Sequence, residues 1–161
     1  LWYTMIPNAN NMAAEIDRRL GLYEQGKMVP YTIIQKTNYG EQIIGMTTFM
    51  NVEHTATYNR VEIGSTWFAK SAQRNGINTI VKHMMLTHAF EEWKCIAVEF
   101  RTHRLNQQSR AAIERLGAQL DGILRAHAIS PNGTLRDTAV YSISASEWPT
   151  IKVHLGFKIR P

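Results

Sequence analysis

Residues 73–78 form a loop whose composition suits the binding of an anion. The segment reads Gln73-Arg74-Asn75-Gly76-Ile77-Asn78 and lies between a β-rich stretch and a long amphipathic one. A tight loop that leads into a helix gathers free backbone N–H groups at the positive end of the helix dipole. Gly76 lets the backbone approach a phosphate closely, and Arg74 adds a cation. A phosphate site and an ordinary connecting loop both fit this composition, whereas the absence of Gly-Lys-Ser/Thr excludes a Walker loop.

The stretches around this loop alternate between strand and helix patterns. After the loop, apolar residues recur at helical spacing, so one long helix is expected with a buried face of Ile77, Ile80, Val81, Met84, Met85, Ala89 and Phe90. The predicted order is a helix (11–25), three strands (29–36, 42–50, 60–69), a helix (75–93), a strand (95–102), a helix (106–116), two strands (119–129, 135–144) and a helix (147–155). Antiparallel strands followed by a strand–helix–strand crossover indicate a mixed α+β sheet, not a doubly wound one.

The composition is that of an ordinary globular domain. The chain has 161 residues, of which 44% are hydrophobic and 19% charged, so we expect a single domain over 1–161. No apolar run approaches the ~18 residues needed to span a bilayer. The net charge of +5 favours anionic partners, but the arginines form no dense basic block. The start, Leu1-Trp2-Tyr3, lacks an initiator Met and suggests a trimmed N-terminus.

Cysteine and histidine usage argues against metal or thiol chemistry. Cys95 is the only cysteine, which excludes an internal disulfide and fits a reducing, cytoplasmic setting. It precedes the apolar residues 96–98, so a buried core residue is favoured over a catalytic nucleophile. The six histidines form no pairing of metal-ligand type, and no metal is expected.

Two motifs together resemble the GNAT (Gcn5-related N-acetyltransferase) superfamily. The segment 73–78 is similar to its pyrophosphate loop, Gln-x-x-Gly-x-Gly/Ala, with Asn78 in place of the last small residue. The segment 106–118, Asn-Gln-Gln-Ser-Arg-Ala-Ala-Ile-Glu-Arg-Leu-Gly-Ala, is similar to the Asn-x-x-Ser…Leu-Gly helix of the RimJ/RimL-like branch. The motif spacing and the element order match the superfamily over nearly the whole chain. The family's first strand and the start of its first helix are expected to be missing at the N-terminus.

The resemblance implies a fold and a cofactor. The GNAT fold is a mixed, mostly antiparallel sheet flanked by helices, with a V-shaped splay between two central parallel strands. Acetyl-CoA would bind in that splay, between strands 60–69 and 95–102, and the backbone near 67–69 would hold its pantetheine arm. The residues implied in cofactor binding are Trp67, Phe68, Ala69, Gln73, Arg74, Asn75, Gly76, Ile77, Asn78, Asn106 and Ser109.

Glu62 is the first catalytic candidate that the resemblance suggests. It lies eleven residues before Gln73, and a carboxylate general base occurs at similar spacing in the histone-modifying branch. An amine at neutral pH is mostly ammonium and must lose a proton before it attacks a thioester. Burial would raise the pKa of such a base. The alternative is a strand glutamate that pairs with an arginine, for example Arg60 or Arg101.

Ser109 is the second catalytic candidate. Many GNAT enzymes place a tyrosine on this helix to protonate the leaving thiolate, but Ile113 stands at the matching position. The resemblance implies that Ser109 faces the cofactor sulfur, as an acid or as a positioning group. Asn106 and Ser109 could also simply form the start of a helix, with Asn106 as N-cap.

The resemblance predicts direct transfer of an acetyl group from acetyl-CoA to an amine. The acceptor would be a protein or peptide N-terminus, an amino acid or a small amine, and Trp2 and Tyr3 would border its cleft. A non-catalytic CoA-binding sensor or interaction domain is the alternative. No membrane partner is expected. Direct nucleic-acid binding is not expected either, because no aromatic platform can be assembled on a sheet face. A homodimer is allowed, since GNAT enzymes often dimerise.

Overall fold

The computed structural model describes residues 7–159, which form a six-stranded sheet flanked by four α-helices. The strands lie in the order β1-β2-β3-β4-β6-β5. No helix within these residues is long and apolar enough to cross a membrane. The elements are α1 (Met12–Glu24), β1 (Met28–Thr37), β2 (Gly40–His54), β3 (Asn59–Phe68), α2 (Ile77–Thr87), β4 (Cys95–His103), α3 (Gln107–Glu114), β5 (Gln119–Ile129), β6 (Leu135–Ser144) and α4 (Trp148–Lys158).

The parallel strands β3 and β4 separate part-way along their length. Their pairing runs from Asn59 opposite Cys95 to Glu62 opposite Glu99 and stops there. Beyond that point β3 continues to Phe68 along β2, and β4 continues alongside β6. The second half of each strand therefore has one edge without a strand partner. This confirms the predicted mixed sheet with a splay between its central parallel strands.

Helices cover both faces of the sheet. Thr47 and Thr48 are neighbours on β2, so their side chains point to opposite faces. Thr48 accepts a hydrogen bond of 2.7 Å from the guanidinium of Arg19 on α1, whereas Thr47 contacts Lys82 and Met85 on α2. We call these the α1 face and the α2 face of the sheet.

The main hydrophobic core lies on the α2 face. Strands β3, β4 and β6 contribute buried aliphatic residues, and α2 and α4 pack against them through Leu86 and Leu155, which are fully buried. Each such side chain stabilises the fold by about 1.5–3 kcal/mol. A smaller cluster beside the loop 73–76 holds the end of β3 against the start of α2; its members are Ile33, Ile44, Ala72, Phe68, Ile77 and Val81.

The long helix predicted over 75–93 is divided into two segments. Regular α-helix ends at Thr87, and a π-helical turn follows over His88–Glu92. The amide of Trp93 closes that turn by donating to the carbonyl of His88 over 3.1 Å. A π turn holds one extra residue and rotates the side chains that follow it. Here Phe90 stacks on Trp148 of α4 while Trp93 packs on Phe49 of β2.

The buried face of α2 also differs from the expected one. Ile80 and Met84 were expected in the core, but they are 42% and 66% exposed. The buried positions Lys82, Met85 and Leu86 follow helical spacing, with a lysine as the first of them. That lysine is tolerated because two threonine hydroxyls of the sheet meet its ammonium group.

Candidate functional site

The loop before α2 leaves several backbone donors free. Gly76 is the N-cap of α2 with φ 84°, a left-handed conformation that favours glycine. The backbone N–H groups of Arg74, Asn75, Gly76 and Asn78 receive no partner from residues 7–159. A Cβ built on Gly76 meets no heavy atom within 4 Å, so the space beside the helix N-terminus is open. Free donors, open space and the helix dipole together suit an anion.

Two side chains of the loop stabilise its shape. The side-chain amide of Gln73 donates to the backbone carbonyl of Phe68 over 3.0 Å and so connects the loop to the end of β3. The side-chain Oδ1 atom of Asn75 accepts a hydrogen bond from the backbone N–H of Ile77 over 3.3 Å. Ile77 also packs in the small cluster beside the loop. The structure therefore gives Gln73, Asn75 and Ile77 anchoring contacts and leaves the backbone of the loop free for a ligand.

A β-bulge interrupts β3 where the strand leaves β4. Gly64 pairs with Thr48 and Trp67 with Met46, so Ser65 and Thr66 together stand opposite a single β2 residue. Ser65 adopts φ 47°, which turns the backbone at this point. The bulge residue Ser65 comes three residues after Glu62, the last β3 residue that pairs with β4.

The end of β3 brings the predicted residues Trp67, Phe68 and Ala69 beside the splay. The indole N–H of Trp67 is buried and has no hydrogen-bond partner among residues 7–159. Phe68 packs in the small cluster, and the amide of Ala69 donates to the carbonyl of Ile44 on β2 over 2.7 Å. Of these three side chains, that of Trp67 is the one whose hydrogen-bond donor meets no acceptor among residues 7–159.

Glu62 lies at the bottom of the splay on the α1 face, with 7% of its surface exposed. The Asn51 amide donates to its Oε2 atom over 2.7 Å, and the Arg101 Nε lies 3.7 Å from the same oxygen. No residue within 7–159 donates a hydrogen bond to Oε1. Burial raises the pKa of Glu62 above its ordinary value and the charge of Glu99 raises it further, whereas Asn51 and Arg101 oppose the rise.

The two arginines near Glu62 pair mainly with the neighbouring carboxylate of Glu99. Glu99 forms ion pairs with Arg60 and with Arg101, the latter over 2.8 Å. Of the two ion pairs considered for Glu62 from the sequence, the one with Arg60 is not formed and the one with Arg101 is long. Gly64 keeps space beside the carboxylate, because a Cβ there would lie 3.1 Å from Oε1. Glu62 thus combines a raised pKa with an oxygen that no donor among residues 7–159 contacts.

The start of α3 confirms Asn106 as an N-cap. Its side-chain oxygen accepts from the amide of Ser109 over 3.1 Å. The Ser109 hydroxyl is half-buried and receives no partner within residues 7–159. Ile113 is buried in the main core. The structure therefore shows the helix-start contact and also leaves the hydroxyl of Ser109 available.

A polar network not foreseen from the sequence fixes α3 on the sheet. The Arg110 Nε donates to the hydroxyl of Tyr141 over 2.7 Å, and that hydroxyl donates to Glu114 over 2.7 Å. Tyr141 is fully buried on β6. The spacing of four residues between Arg110 and Glu114 on one helix was the available signal.

Thiol chemistry has no support at this site, and no metal cluster is formed by residues 7–159. Cys95 is 2% exposed in the main core, as expected, and burial raises the pKa of its thiol to about 11. Two of the histidines lie on or directly after α2: His88 Nδ1 lies 2.9 Å from a carboxylate oxygen of Glu92, and His83 packs near Trp148. Trp2 and Tyr3, expected at the acceptor cleft, lie outside the described residues.

The sequence of this chain matches a known family. Residues 2–119 match the family model described as "Acetyltransferase (GNAT) domain". The chain belongs to this GNAT acetyltransferase family. The match includes β3, its bulge, the loop 73–76 and α3, which are the elements of the candidate site.

Individual relatives agree with the predicted branch. The chain is 32% identical over 110 residues to "Putative ribosomal N-acetyltransferase YdaF" of Bacillus subtilis (strain 168). That alignment covers 68% of this chain and only 58% of YdaF, so the chain spans less than two thirds of this relative's length.

Solved structures share the fold over nearly the whole chain. A GCN5-related N-acetyltransferase from Brucella melitensis has a TM-score of 0.83 at 27% identity, covering 99% of this chain and 70% of that one. Mycobacterium smegmatis RimJ, solved in complex with CoA-disulfide, has a TM-score of 0.74 at 26% identity, covering 92% and 68% of the two chains. The RimJ/RimL-like GNAT fold predicted from the two motifs is therefore confirmed.

Proposed function

We propose that this protein transfers the acetyl group of acetyl-CoA directly to an amine, with Glu62 as general base. The observation that carries the proposal is the position of Glu62 where β3 and β4 separate. A buried carboxylate with a raised pKa and a free oxygen lies there beside an open strand edge. The complex of RimJ with CoA-disulfide supports the choice of cofactor.

The residues of the splay fit a coenzyme A molecule. The free N–H groups of the loop and the Arg74 guanidinium would hold the pyrophosphate, which carries negative charge. The open edge of β3 and the Trp67 indole offer hydrogen bonds to the amides of the pantetheine arm. We assign the cofactor site to Trp67, Phe68, Ala69, Gln73, Arg74, Asn75, Gly76, Ile77, Asn78, Asn106 and Ser109.

Glu62 performs the proton transfer in this proposal. Its carboxylate removes a proton from the acceptor ammonium, directly or through a water molecule. The resulting amine attacks the thioester carbonyl, the C–N bond forms, and the C–S bond breaks with coenzyme A leaving as a thiolate. The second proton that the nitrogen loses passes to this thiolate. A pKa above the ordinary carboxyl value makes Glu62 a better base near neutral pH. Cys95 takes no part, because its buried thiol stays protonated.

We assign Ser109 a positioning role rather than that of the acid. A serine hydroxyl is a weak acid, and a thiolate leaves readily without protonation. Asn106 fixes the backbone of Ser109 through the helix cap, so the free hydroxyl has a defined position at the start of α3. A hydrogen bond from that hydroxyl to the sulfur would orient the thioester for attack.

A peptide or protein N-terminus is our preferred acceptor. The support is the printed function of YdaF and the likeness to RimJ. An amino acid or a small amine would meet the same base. We place the chain in the cytoplasm as a single acetyltransferase domain, without a membrane or nucleic-acid partner. The exposed edge strand β5 is the surface we would assign to a second copy in a homodimer.

The competing function is a CoA-binding sensor without catalysis. Two departures from the family pattern, Asn78 in the loop and Ile113 on α3, favour this alternative. Glu62 favours catalysis, because simple CoA binding has no need of a buried carboxylate with a raised pKa. Release of thiol from acetyl-CoA separates the two functions.

Thermal unfolding with and without CoA tests the cofactor site. Wild-type protein should gain about 2.7 kcal/mol at a CoA concentration 100 times its Kd, seen as a rise in Tm. Gly76→Val should abolish this rise, because the valine would fill the open space where the pyrophosphate is expected.

Gly133→Val is the matched control for that variant. Gly133 has φ 83° in the β5–β6 turn and also has open space around a built Cβ. Both variants carry the left-handed strain of about 1–2 kcal/mol, but only Gly76→Val should lose the response to CoA. An equal rise in Tm for both variants would place the pyrophosphate elsewhere.

A further inference from the structure

Lys82 is a buried cation that the proposed mechanism does not use. It lies on α2, six residues after Gly76, and 5% of its surface is exposed. No carboxylate within residues 7–159 forms an ion pair with it. Burial alone lowers the pKa of its amine, with no contribution from another charged group. An unpaired charge is costly in a protein interior, so this lysine calls for an explanation beyond packing.

The amine of Lys82 joins two threonines on neighbouring strands. It donates to Thr47 Oγ1 on β2 over 3.0 Å and to Thr66 Oγ1 on β3 over 2.5 Å. The two hydroxyl oxygens lie 2.8 Å apart, so the three groups form a closed triangle. The triangle connects α2, β2 and β3 at one point of the α2 face.

This triangle coincides with the bulge of β3. Thr47 is the β2 residue that stands opposite the bulge, and Thr66 is one of the two residues that form it. The Thr66 hydroxyl lies 3.3 Å from the carbonyl of Gly64 and can donate to it. Hydrogen bonds from Lys82 therefore extend through Thr66 to the backbone at which the bulge begins.

We propose that Lys82 is a positioning residue for acetyl transfer: through Thr47 and Thr66 it holds the β3 bulge in the shape that presents the free strand edge to the thioester. This inference rests on the proposed function. The bulge lies between Glu62 and the end of β3, so a change in its shape would misplace the reacting carbonyl relative to the base. A displacement of about 1 Å can lower a rate by as much as 10²-fold.

The variant Lys82→Met separates positioning from packing. Methionine has a similar length and no charge, and the two threonine hydroxyls can still bond to each other over their 2.8 Å separation. The fold should therefore survive, and removal of the buried charge should raise the Tm. If Lys82 only supported the fold, activity would rise or fall together with stability.

The test measures kcat and KM for acetyl-CoA, together with the Tm. Lys82→Met should lower kcat about tenfold while raising the Tm, and KM should change less than about threefold because the loop 73–76 is intact. Thr66→Val should give the same loss of kcat, and Thr66→Ser, which keeps the hydroxyl, should restore it. The double variant that combines Lys82→Met with Thr66→Val should lose no more than either single variant. Lys36→Met is the control, since Lys36 is exposed and pairs with Glu41 at the other end of a hairpin.

The possible outcomes separate the positioning role of Lys82 from the proposed function. Full activity in Lys82→Met, or a parallel fall of kcat and Tm, would overturn the positioning role while the proposed function stands. A wild-type protein that binds CoA but releases no thiol with any acceptor would overturn both. Equal loss in Thr66→Ser and Thr66→Val would show that the hydroxyl is not the connection to the bulge.

Discussion

Glu62 and Lys82 are two buried ionisable groups on opposite faces of the same part of the sheet. Glu62 faces α1, and its surroundings contain an amide, two arginines and a second carboxylate. Lys82 reaches the sheet from α2, and within residues 7–159 its amine donates to two threonine hydroxyls. Burial is the main cause of both pKa shifts, which raise the pKa of Glu62 and lower that of Lys82 to about 7.

The difference between the two surroundings explains why they suit different roles. A general base must gain and lose a proton in every cycle, so its surroundings need charges that tolerate both states. Such charges surround Glu62 on the α1 face, and no donor among residues 7–159 contacts its Oε1 atom. No charged group contributes to the pKa shift of Lys82 on the α2 face, and its amine is held by two fixed hydroxyls. We therefore assign proton transfer to Glu62 and the positioning of the β3 bulge to Lys82.

The largest effect that would test this comparison is the loss of the base. Glu62→Gln should lower kcat by about 10²- to 10⁴-fold, because the amide cannot accept the proton of the acceptor. The rise in Tm with CoA should be unchanged, since the free donors of the loop do not involve Glu62. Initial rates of thiol release with one acceptor would show the loss.

Glu53→Gln is the control for that variant. Glu53 is an exposed glutamate on β2, opposite Arg60 in the strand register, and its replacement should leave kcat unchanged. A Glu62→Gln enzyme with wild-type kcat would show that Glu62 is not the general base. The contrast drawn between the roles of Glu62 and Lys82 would then be wrong.

The next effect concerns stability and its dependence on pH. The pKa of Lys82 is about 7 in the folded protein and 10.5 in an unfolded chain. Between these values the unfolded chain binds the additional proton, so the wild-type free energy of unfolding should rise with pH through this window. Lys82→Met lacks the free-energy cost of burying a protonated lysine. It should therefore exceed the wild type by up to a few kcal/mol below about pH 7, and the advantage should fade towards pH 10.5.

Chemical denaturation across this pH range measures that difference. Lys36→Met controls for the loss of a surface lysine, because its side chain is 79% exposed and its replacement should give no such trend. A Lys82→Met protein that is less stable than the wild type near pH 6 would show that the buried charge is compensated within the folded protein.

The smallest effect comes from the amide that bonds to Glu62. The hydrogen bond from Asn51 lowers the pKa of Glu62, so its removal should raise that pKa further. Asn51→Gly should therefore move the acidic limb of the kcat/KM profile to higher pH, by about one unit or less. Glycine is the suitable replacement because Asn51 has φ 47°. Ala126→Gly, at φ 49° on β5, should leave the limb in place, and a limb that moves to lower pH in Asn51→Gly would contradict the assignment.

Much of the fold could be predicted because turns and periodicity are local. The bounds predicted for the last two strands, 119–129 and 135–144, agree with β5 and β6, since Gly117 and the Pro131-Asn132-Gly133 turn mark their ends. The break in the long helix at His88 was missed. A π turn changes the hydrogen bonding by one residue without disturbing the apolar pattern that predicted the helix.

The candidate site was harder to predict because it depends on contacts between distant residues. The sequence could suggest Glu62 from its spacing to the loop, but not that Arg60 and Arg101 would pair with Glu99 instead. The burial of Lys82 is not predicted from its residue type, because lysines are almost never fully buried unless paired. The stripe of Lys82, Met85, Leu86 and Ala89, at spacings of three and four, was the signal for its burial.

Release of thiol from acetyl-CoA by the wild-type protein tests the central claim most directly. The assay should use saturating acetyl-CoA and a panel of peptides with free N-termini, amino acids and small amines, with N-terminally blocked, lysine-free peptides as controls. We predict release that depends on the acceptor and is fastest with a free peptide N-terminus. Binding of CoA with no release above the buffer rate for any amine would contradict the assignment and favour the sensor.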